Sequence, residues 1–365
     1  MGLLHRFVAR RAPEILQTEI RLLHWLGFVR PPRAVQWIAT NACDLACPHC
    51  YSKSGRRADD ELTTDEAKRL VIDELVGLDR AALVIAGGEA LLRPDFAEIV
   101  EYAHRRDIPW ALHTHGGHVG RLIDVFQRHR PQMVAVSVDG PPSFHDEFRG
   151  RKGCFDAAME AIGLLRQAAC PEIVAGTTIT RHNADMLADM LPMIIDSGAD
   201  SWGLHLTTPE GRAAGRPNML PTAAQLRRAA AFARRMRAVF HIELDDEWGG
   251  AGEDDCFYRD DRFMCGAGRF SCVVSATGEL MPCTTSDPAE SQGNIRRQPL
   301  SRLWAERFEA FRSPTNGKSR EWEKSQCFDC WLQTRNGHSC RGPAFADDGG
   351  PFGEPCLPER EVAVS

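Results

Sequence analysis

The 365-residue sequence predicts an α/β fold: a partial (βα)6 TIM-like barrel, followed by a small, irregular, cysteine-rich C-terminal domain. Six strand-like apolar runs lie between residues 35 and 207, and each is followed by a stretch with helical periodicity. This alternation predicts parallel strands joined by right-handed crossovers. Six units are too few for a closed eight-unit barrel. An open or partial barrel is favoured, although a doubly wound sheet would give the same alternation.

The predicted strands occupy 35–40, 82–86, 109–114, 133–138, 173–180 and 201–207, and the predicted helices 64–78, 95–106, 118–129, 154–169, 184–197 and 222–239. Two helix starts have the spacing of a capping box, Thr63 with Glu66 and Thr222 with Gln225. Strand, turn signal and helix therefore follow one another in a regular order.

The chain divides into three parts. An N-terminal helical segment that ends at Pro31-Pro32 is predicted for residues 1–34. Residues 35–240 carry the regular alternation, which stops near residue 241, and residues 241–365 are rich in glycine, proline, cysteine and charge. One short helix is predicted in this tail, near 300–312.

Composition limits the functional class. The sequence is 43% hydrophobic and 26% charged, with no apolar run near the ~20 residues of a membrane span and no signal peptide. We therefore expect a cytoplasmic protein without a membrane partner. The net charge of −6 argues against binding to nucleic acid. Thirteen cysteines in a reducing compartment indicate metal binding rather than disulfides.

Three of these cysteines follow the first predicted strand. Cys43, Cys47 and Cys50 have the spacing C-x3-C-x2-C. Four thiolates fully ligate a 4Fe–4S cube, so three would leave one iron open for another ligand. A zinc site completed by His49 or another residue is the alternative.

Polar motifs also follow the next strands. Gly87-Gly88-Glu89 comes after the second strand, His113-Thr114-His115-Gly116 ends the third, and Ser137-Val138-Asp139-Gly140 closes the fourth. The carboxyl ends of parallel strands carry the chemistry of barrel enzymes, so these motifs are expected to meet at one face.

Taken in this order, the cysteine triplet, the glycine-glycine-glutamate motif and the S-x-D-G strand end resemble the radical SAM superfamily over residues 35–240. The resemblance implies a 4Fe–4S cluster on Cys43, Cys47 and Cys50 that binds S-adenosyl-L-methionine. It implies reductive cleavage of this cofactor to a 5′-deoxyadenosyl radical, which abstracts hydrogen from a substrate. No catalytic residue beyond the cluster is assigned.

The resemblance also implies contacts with the cofactor. The implied residues are Gly87, Gly88, Glu89, Tyr51, Ser137 and Asp139. The glycines would let the backbone approach the ligand. Glu89 would accept hydrogen bonds from the methionyl ammonium, unless it is only a helix N-terminal carboxylate. Asp139 would bind ribose hydroxyls, unless it only forms an Asp-Gly turn. No role is predicted for His115.

The tail resembles the SPASM extension, which holds auxiliary 4Fe–4S clusters. The resemblance implies a first auxiliary cluster on Cys265, Cys272 and Cys283 and a second on Cys327, Cys330, Cys340 and Cys356. Ala344 stands where the family has a cysteine, which leaves the fourth ligand of the first cluster open. In an alternative alignment Asn336 replaces a ligand of the second cluster. Zinc at the last four cysteines is a further alternative.

The motifs are most similar to those of peptide maturases. This implies a ribosomally made peptide as substrate, modified by oxidative decarboxylation or cross-linking. A separate peptide chaperone and an electron donor of the flavodoxin or ferredoxin type are implied partners. Arg212 and Arg216, after the sixth strand, could bind a carboxylate. Alternatives are tetrapyrrole or haem side-chain modification by the same chemistry, and a non-catalytic iron–sulfur electron-transfer protein, which would not need the glycine-glycine-glutamate motif.

Overall fold

The computed structural model describes residues 29–245, 248, 266–286 and 288–312, and within them nine strands form one sheet. The strands are β1 Ala34–Ile38, β2 Ala82–Ala86, β3 Trp110–Thr114, β4 Met133–Ser137, β5 Ile173–Ile179, β6 Ser201–Leu206, β7 Ile242–Leu244, β8 Ser271–Val274 and β9 Leu280–Met281. Their spatial order is β7-β6-β5-β4-β3-β2-β1-β8-β9. All neighbours are parallel except β8 and β9.

The strand order distinguishes the two folds that the alternation allowed. From β1 to β7 each strand lies beside the next one in the chain, with no reversal of order. A doubly wound sheet reverses its strand order at a switch point, whereas a barrel does not. The prediction of an α/β partial barrel is therefore confirmed, and so are its six strands.

The helices follow the predicted positions closely. They are α1 Thr64–Glu66, which continues through a π-helical segment Ala67–Ile72 into α2 Asp73–Gly77, then α3 Phe96–Arg105, α4 Ile123–Arg128, α5 Pro142–Arg149, α6 Cys154–Gln167, α7 Leu187–Asp196, α8 Ala223–Met236, α9 Leu300–Arg307 and α10 Glu309–Arg312. Both predicted capping boxes are present, at Thr63 and Thr222. Helix α5 was not predicted.

Side chains alternate between two apolar layers. On one face, large residues of the strands pack against the helices in the main core. On the other face, a second group of mostly small residues packs in the interior of the barrel. This second group comprises Ala34, Ala82, Val84, Ala111, Met133, Ala135 and Val174. The period-two alternation of strands thus separates a helix-facing core from a barrel-facing one.

The tail contributes to the sheet, which was not predicted. Strand β7 extends the sheet beyond residue 240, and β8 pairs in parallel with β1. These strands have two to four residues, too few to show a period. The predicted tail helix is confirmed as α9 and α10. The division of the chain at residues 34 and 240 stays a prediction. Strands from both sides of residue 240 belong to the same sheet. Residues 1–28 lie outside the described residues.

One exposed ion pair ties the tail to the barrel. Arg296 donates hydrogen bonds of 2.8 and 3.0 Å to the carboxylate of Glu66 in α1, and this contact is the main cause of a Glu66 pKa of about 2. We expect Arg296→Gln to lower the free energy of unfolding at pH 7 by about 0.2–1 kcal/mol. A carboxylate with a lowered pKa stabilises the fold above its unfolded pKa and loses this effect as the pH falls through the folded value.

The loss caused by Arg296→Gln should therefore shrink below pH 4.5 and disappear near pH 2. Urea unfolding at several pH values measures it. The matched control is Arg302→Gln, which removes the more exposed pair with Glu306. An equal effect of both substitutions would contradict the prediction.

In the described part of the chain, no helix combines the length and the apolar character that crossing a bilayer requires.

Candidate functional site

A cavity of about 220 Å³ opens at the carboxyl ends of the barrel strands. Cys43, Cys47 and Cys50 all line it, together with residues at the carboxyl ends of β2, β3 and β4. The motifs predicted to meet at one face of the sheet are therefore brought together.

The cysteines lie on a loop, residues 41–55, which we call the cysteine loop. Its two ends are paired, because the Cys43 amide donates to the Gly55 carbonyl and the Gly55 amide donates to the Asn41 carbonyl. Arg212 crosses to the loop from the segment after β6 and donates to the carbonyls of Cys47 and Ser54, both at 2.7 Å. The predicted contact of Arg212 with a carboxylate stays a prediction, and the structure shows a contact that holds the loop.

The three thiols have different proton affinities. Burial raises the pKa of Cys43 to about 11 and also raises the pKa of Cys47. Burial has the same tendency at Cys50, but hydrogen bonds from Ser52 and Ser54 outweigh it and lower the pKa of that thiol. Metal binding must therefore displace protons from at least two of the thiols. Three soft sulfur ligands around one cavity suit an iron–sulfur cluster.

Gly87 and Gly88 pack against the chain that leads into the cysteine loop. The Gly88 amide donates to the Thr40 carbonyl at 2.8 Å, and the Glu89 amide to the Ala42 carbonyl at 2.7 Å. A Cβ atom on Gly88 would lie 2.2 Å from the Ala42 oxygen, and one on Gly87 2.5 Å from the Thr40 oxygen. Both glycines also line the cavity. Close approach to the chain's own backbone already requires them, in addition to the predicted approach to a ligand.

This packing yields a prediction for Gly88→Ala. The new methyl group must push the cysteine loop away from β2, since a carbonyl oxygen cannot yield as a flexible side chain does. We expect loss of the iron bound by the cysteine triplet and a stability decrease of about 1–3 kcal/mol. Iron analysis and thermal unfolding measure both.

Gly163→Ala is the control. Gly163 lies in helix α6 and a Cβ atom there would meet nothing within 4 Å. This substitution should stabilise the protein by about 0.5–1 kcal/mol and leave the iron content unchanged. Similar iron contents in the two variants would contradict the proposed role of Gly88.

Glu89 is completely buried and connects the end of β2 to the end of β3. Its carboxylate accepts hydrogen bonds from the Leu91 amide at 3.1 Å, from the Thr114 hydroxyl at 2.8 and 2.9 Å, and from the His115 amide at 2.9 Å. The predicted contact with a methionyl ammonium stays a prediction. The structure assigns Glu89 a second role, which is to fix the ends of two strands.

Asp139 is also completely buried. Its carboxylate accepts two hydrogen bonds from Arg149, at 2.6 and 2.9 Å, and one from the Thr178 amide at 2.9 Å. Burial alone would raise the pKa of Asp139, but the charge of Arg149 outweighs it and the pKa falls to about 2. The predicted ribose contact stays a prediction, and the observed partner lies in α5, the helix that was not predicted.

The other predicted cofactor contacts, Tyr51 and Ser137, both line the cavity. His49, the alternative zinc ligand, stacks on Phe148 and lies 3.5 Å from the Asp139 carboxylate. His49 therefore contacts helix α5 and the segment that follows β4.

A cluster around Asp44, the residue after the first cysteine, was not predicted. Its carboxylate binds His115 at 2.9 Å, His118 at 3.0 Å, and Arg151. Burial opposes ionisation of Asp44, but Arg151 and His115 outweigh it and lower its pKa. Ligand atoms of Cys43, Asp44 and His115 lie within 4.8 Å of one another. The 2.9 Å contact between the Asp44 carboxylate and the His115 ring accounts for the proximity of these two residues.

Two predicted auxiliary ligands lie in described residues. Cys272 is completely buried in β8 within the helix-facing core, where burial raises its pKa to about 12. Cys283 is partly buried and packs against Ala267, outside that core. The next two residues, Thr284 and Thr285, line the cavity. The predicted ligands Cys265, Cys327, Cys330, Cys340 and Cys356, and also Ala344 and Asn336, lie outside the described residues. The auxiliary clusters stay predictions.

Known families and proteins are similar to this chain in sequence. Residues 37–194 match the family model of the radical SAM superfamily, and residues 265–331 match that of SPASM, an iron–sulfur cluster-binding domain. The mycofactocin maturase MftC of Mycobacterium ulcerans is 31% identical over 269 residues, which cover 69% of this chain and 68% of the relative. The AdoMet-dependent heme synthase of Nitratidesulfovibrio vulgaris is 28% identical over 347 residues, covering 88% of this chain and 90% of the relative.

A solved structure shares the fold. The S-adenosylmethionine complex of SuiB from Streptococcus suis has a TM-score of 0.69 at 13% identity, covering 91% of this chain and 78% of that one. The predicted resemblance to radical SAM enzymes of the maturase type, and the prediction of an enzyme, are confirmed. Iron–sulfur clusters and S-adenosylmethionine binding follow from the two matched domains. The chain belongs to the radical SAM superfamily and carries a SPASM domain.

Proposed function

We propose that the chain uses Cys43, Cys47 and Cys50 to hold a 4Fe–4S cluster and acts on a substrate in the adjoining cavity. The observation that carries the proposal is the convergence of the three thiols with Gly87 and Gly88 on one cavity at the strand ends. When bound, the reduced cluster and S-adenosyl-L-methionine supply a 5′-deoxyadenosyl radical, which abstracts hydrogen from the substrate. We also propose one or two auxiliary clusters in the tail.

The charges around the cavity suit this cofactor pair. Among the described residues that line the cavity, none is aspartate or glutamate, whereas Arg149, Arg212 and four histidines are present. A cluster held by three thiolates is anionic, and S-adenosylmethionine carries a carboxylate. A lining without acidic groups therefore avoids repulsion of both. Arg212 donates hydrogen bonds to two backbone carbonyls of the cysteine loop and so holds the loop in place.

For the substrate we propose a ribosomally made peptide that is oxidatively modified, by decarboxylation or cross-linking. The similarity to MftC supports this, as does a match at 30% identity over 269 residues to the sporulation killing factor maturation protein SkfB of Bacillus subtilis. SuiB has also been crystallised with a precursor peptide. A peptide chaperone and a flavodoxin or ferredoxin type of electron donor are the partners that we propose with it.

The second candidate is side-chain modification of a tetrapyrrole. It is favoured by the heme synthase match, which spans 90% of that relative, whereas the maturase match spans 68%.

The test is anaerobic reconstitution of the full chain, followed by incubation with dithionite and S-adenosyl-L-methionine. We expect 5′-deoxyadenosine, measured by mass spectrometry. If none forms, the proposed radical chemistry is wrong and a non-catalytic iron–sulfur protein remains. Deuterated precursor peptides and deuterated coproporphyrin then separate the substrate classes, because only the true class transfers deuterium into 5′-deoxyadenosine.

A further inference from the structure

We propose that Gln36 and His113 form a subsite at the inner end of the cavity that binds a neutral amide group of the substrate. The proposal rests on the proposed function, because it names the substrate chemistry of the same cavity. No role was predicted for either residue.

Both side chains face the interior of the barrel. Ala34 in β1 and Ala111 in β3 belong to the barrel-facing apolar group. Gln36 and His113 each follow one of them by two positions, and residues two apart in a strand share a face. Gln36 also lies opposite Val84, another member of that group. The two polar residues, which both line the cavity, therefore lie where the apolar interior ends and the cavity begins.

The side-chain amide of Gln36 is buried without a protein partner. The residue is only 4% exposed. Within the part of the chain that the structure describes, no group forms a hydrogen bond with this amide. A buried amide without a partner costs free energy, and native proteins rarely keep one without a specific reason. Because Gln36 borders the cavity, a polar ligand there supplies such a reason.

His113 adds a second polar group to the same lining. No described residue forms a hydrogen bond with its ring either. Burial lowers the pKa of His113 to about 3, so the ring is neutral and has one N–H donor and one acceptor nitrogen. The amide of Gln36 likewise has donors and an acceptor. The two residues thus offer hydrogen bonds of both kinds and no charge.

The charged groups elsewhere in the lining contact other parts of the protein. Arg149 pairs with Asp139, and His205 pairs with Asp245. Arg212 binds carbonyls of the cysteine loop. These contacts occupy the charged groups with the protein itself.

The neutral character of the subsite selects its ligand. A carboxylate or an ammonium group that reached Gln36 and His113 would lose water without gaining an opposite charge from either residue. A neutral amide both donates and accepts hydrogen bonds, and so it matches both side chains. Amides occur in the backbone of a peptide and in asparagine and glutamine side chains, whereas the side chains of coproporphyrin end in carboxylates. The subsite therefore favours a peptide.

The test measures binding to the reconstituted full chain in the presence of S-adenosyl-L-methionine. One probe is a pool of tripeptides of uncharged amino acids, acetylated at the amino end and amidated at the carboxyl end. The other probe is coproporphyrin III. Affinity-selection mass spectrometry identifies the molecules that the protein retains. We expect the wild-type protein to retain members of the blocked tripeptide pool.

Gln36→Leu should weaken the binding of the retained tripeptides about tenfold, because their amide loses its partner. His113→Leu should act in the same direction, and it decides the question if Gln36→Leu does not fold. Gln36→Leu should not lower the midpoint of thermal unfolding, since no described partner of Gln36 is lost. A glutamine that serves only the fold would show the opposite pattern.

Gln225→Leu is the matched control, with the same substitution at another buried glutamine. Gln225 is 8% exposed, and its amide donates to the Arg181 carbonyl at 2.9 Å and to the Asp185 carboxylate at 3.0 Å. It does not line the cavity. This control should lower the midpoint of thermal unfolding by about 2–4 °C and leave tripeptide binding unchanged.

The proposal is overturned if the wild-type protein retains no blocked tripeptide, or if the affinity is unchanged in Gln36→Leu, which would mean that the amide only faces water. It is also overturned if Gln36→Leu lowers the unfolding midpoint as much as Gln225→Leu, or if coproporphyrin III is the probe whose retention depends on Gln36. Formation of 5′-deoxyadenosine by the wild-type protein is measured on the same samples. It reports the radical chemistry separately, so failure of the proposed function is distinguishable from failure of the subsite.

Discussion

Replacement of Cys43, Cys47 and Cys50 together by alanine is expected to abolish the formation of 5′-deoxyadenosine. The reason is that all three proposed ligands of one cluster are lost, and the electron donor of the cleavage step is lost with them. The fall should exceed about a thousandfold, down to the background of the assay. The sulfur ligands lie on a loop whose ends are held by backbone hydrogen bonds and by Arg212, so the fold should survive.

Iron analysis makes this experiment specific. The variant should lose only the iron of the triplet and retain the auxiliary iron that we propose for the tail. If its iron content falls to zero, the auxiliary clusters are absent. Cys170→Ala is the matched control, since Cys170 is a buried core thiol that does not line the cavity. It should retain both iron and activity, and a control that loses activity would show that cysteine loss acts through the fold.

Arg149→Met is expected to have the largest effect on stability, about 3–5 kcal/mol. The substitution removes the charged partner of the completely buried Asp139 carboxylate and leaves it the hydrogen bond from Thr178. The folded protein must then keep an unpaired buried charge or take up a proton, and either one costs stability. Thermal unfolding of the variant measures the loss. The matched control is Arg166→Met, which breaks an exposed pair with Asp200 and should cost no more than about 1 kcal/mol.

Substitution of Asp139, the partner of Arg149, tests the same ion pair through the pH dependence of stability. Asp139→Asn also breaks the pair, and its stability should be compared with the wild type as the pH falls. Because the pKa of Asp139 is lowered to about 2, the wild type should keep its advantage above pH 4 and lose it as the pH falls through about 2. An advantage that disappears already between pH 6 and 5 would mean that another group is responsible.

Local sequence patterns predicted the parts of the fold that depend on neighbouring residues. The strands β1 to β6 have a clear apolar pattern, and the capping boxes at Thr63 and Thr222 need only four adjacent positions. The cysteine triplet was placed correctly at the carboxyl end of β1 because strand direction follows from the alternation of strands and helices. These features could be predicted from periodicity and spacing alone.

The missed features depend on contacts between distant positions. Asp44 meets His115 and His118 more than seventy positions away, and nothing local to Asp44 marks it as the centre of a cluster. The pair of His205 and Asp245 likewise depends on β7, which is too short to show a period. The close approach of Gly87 and Gly88 to a ligand stays a prediction, whereas their close approach to the protein's own backbone was not predicted.

The pairing of β1 with β8 has a consequence for synthesis on the ribosome. Ala34 of β1 lies opposite Ser271 of β8, so one edge of β1 finds its partner only after more than two hundred further residues have been made. At about 5–20 residues per second, this takes roughly 10–50 s. An apolar strand with a free edge is open to wrong pairing with other chains during that time. Slower translation should therefore increase aggregation of the nascent protein.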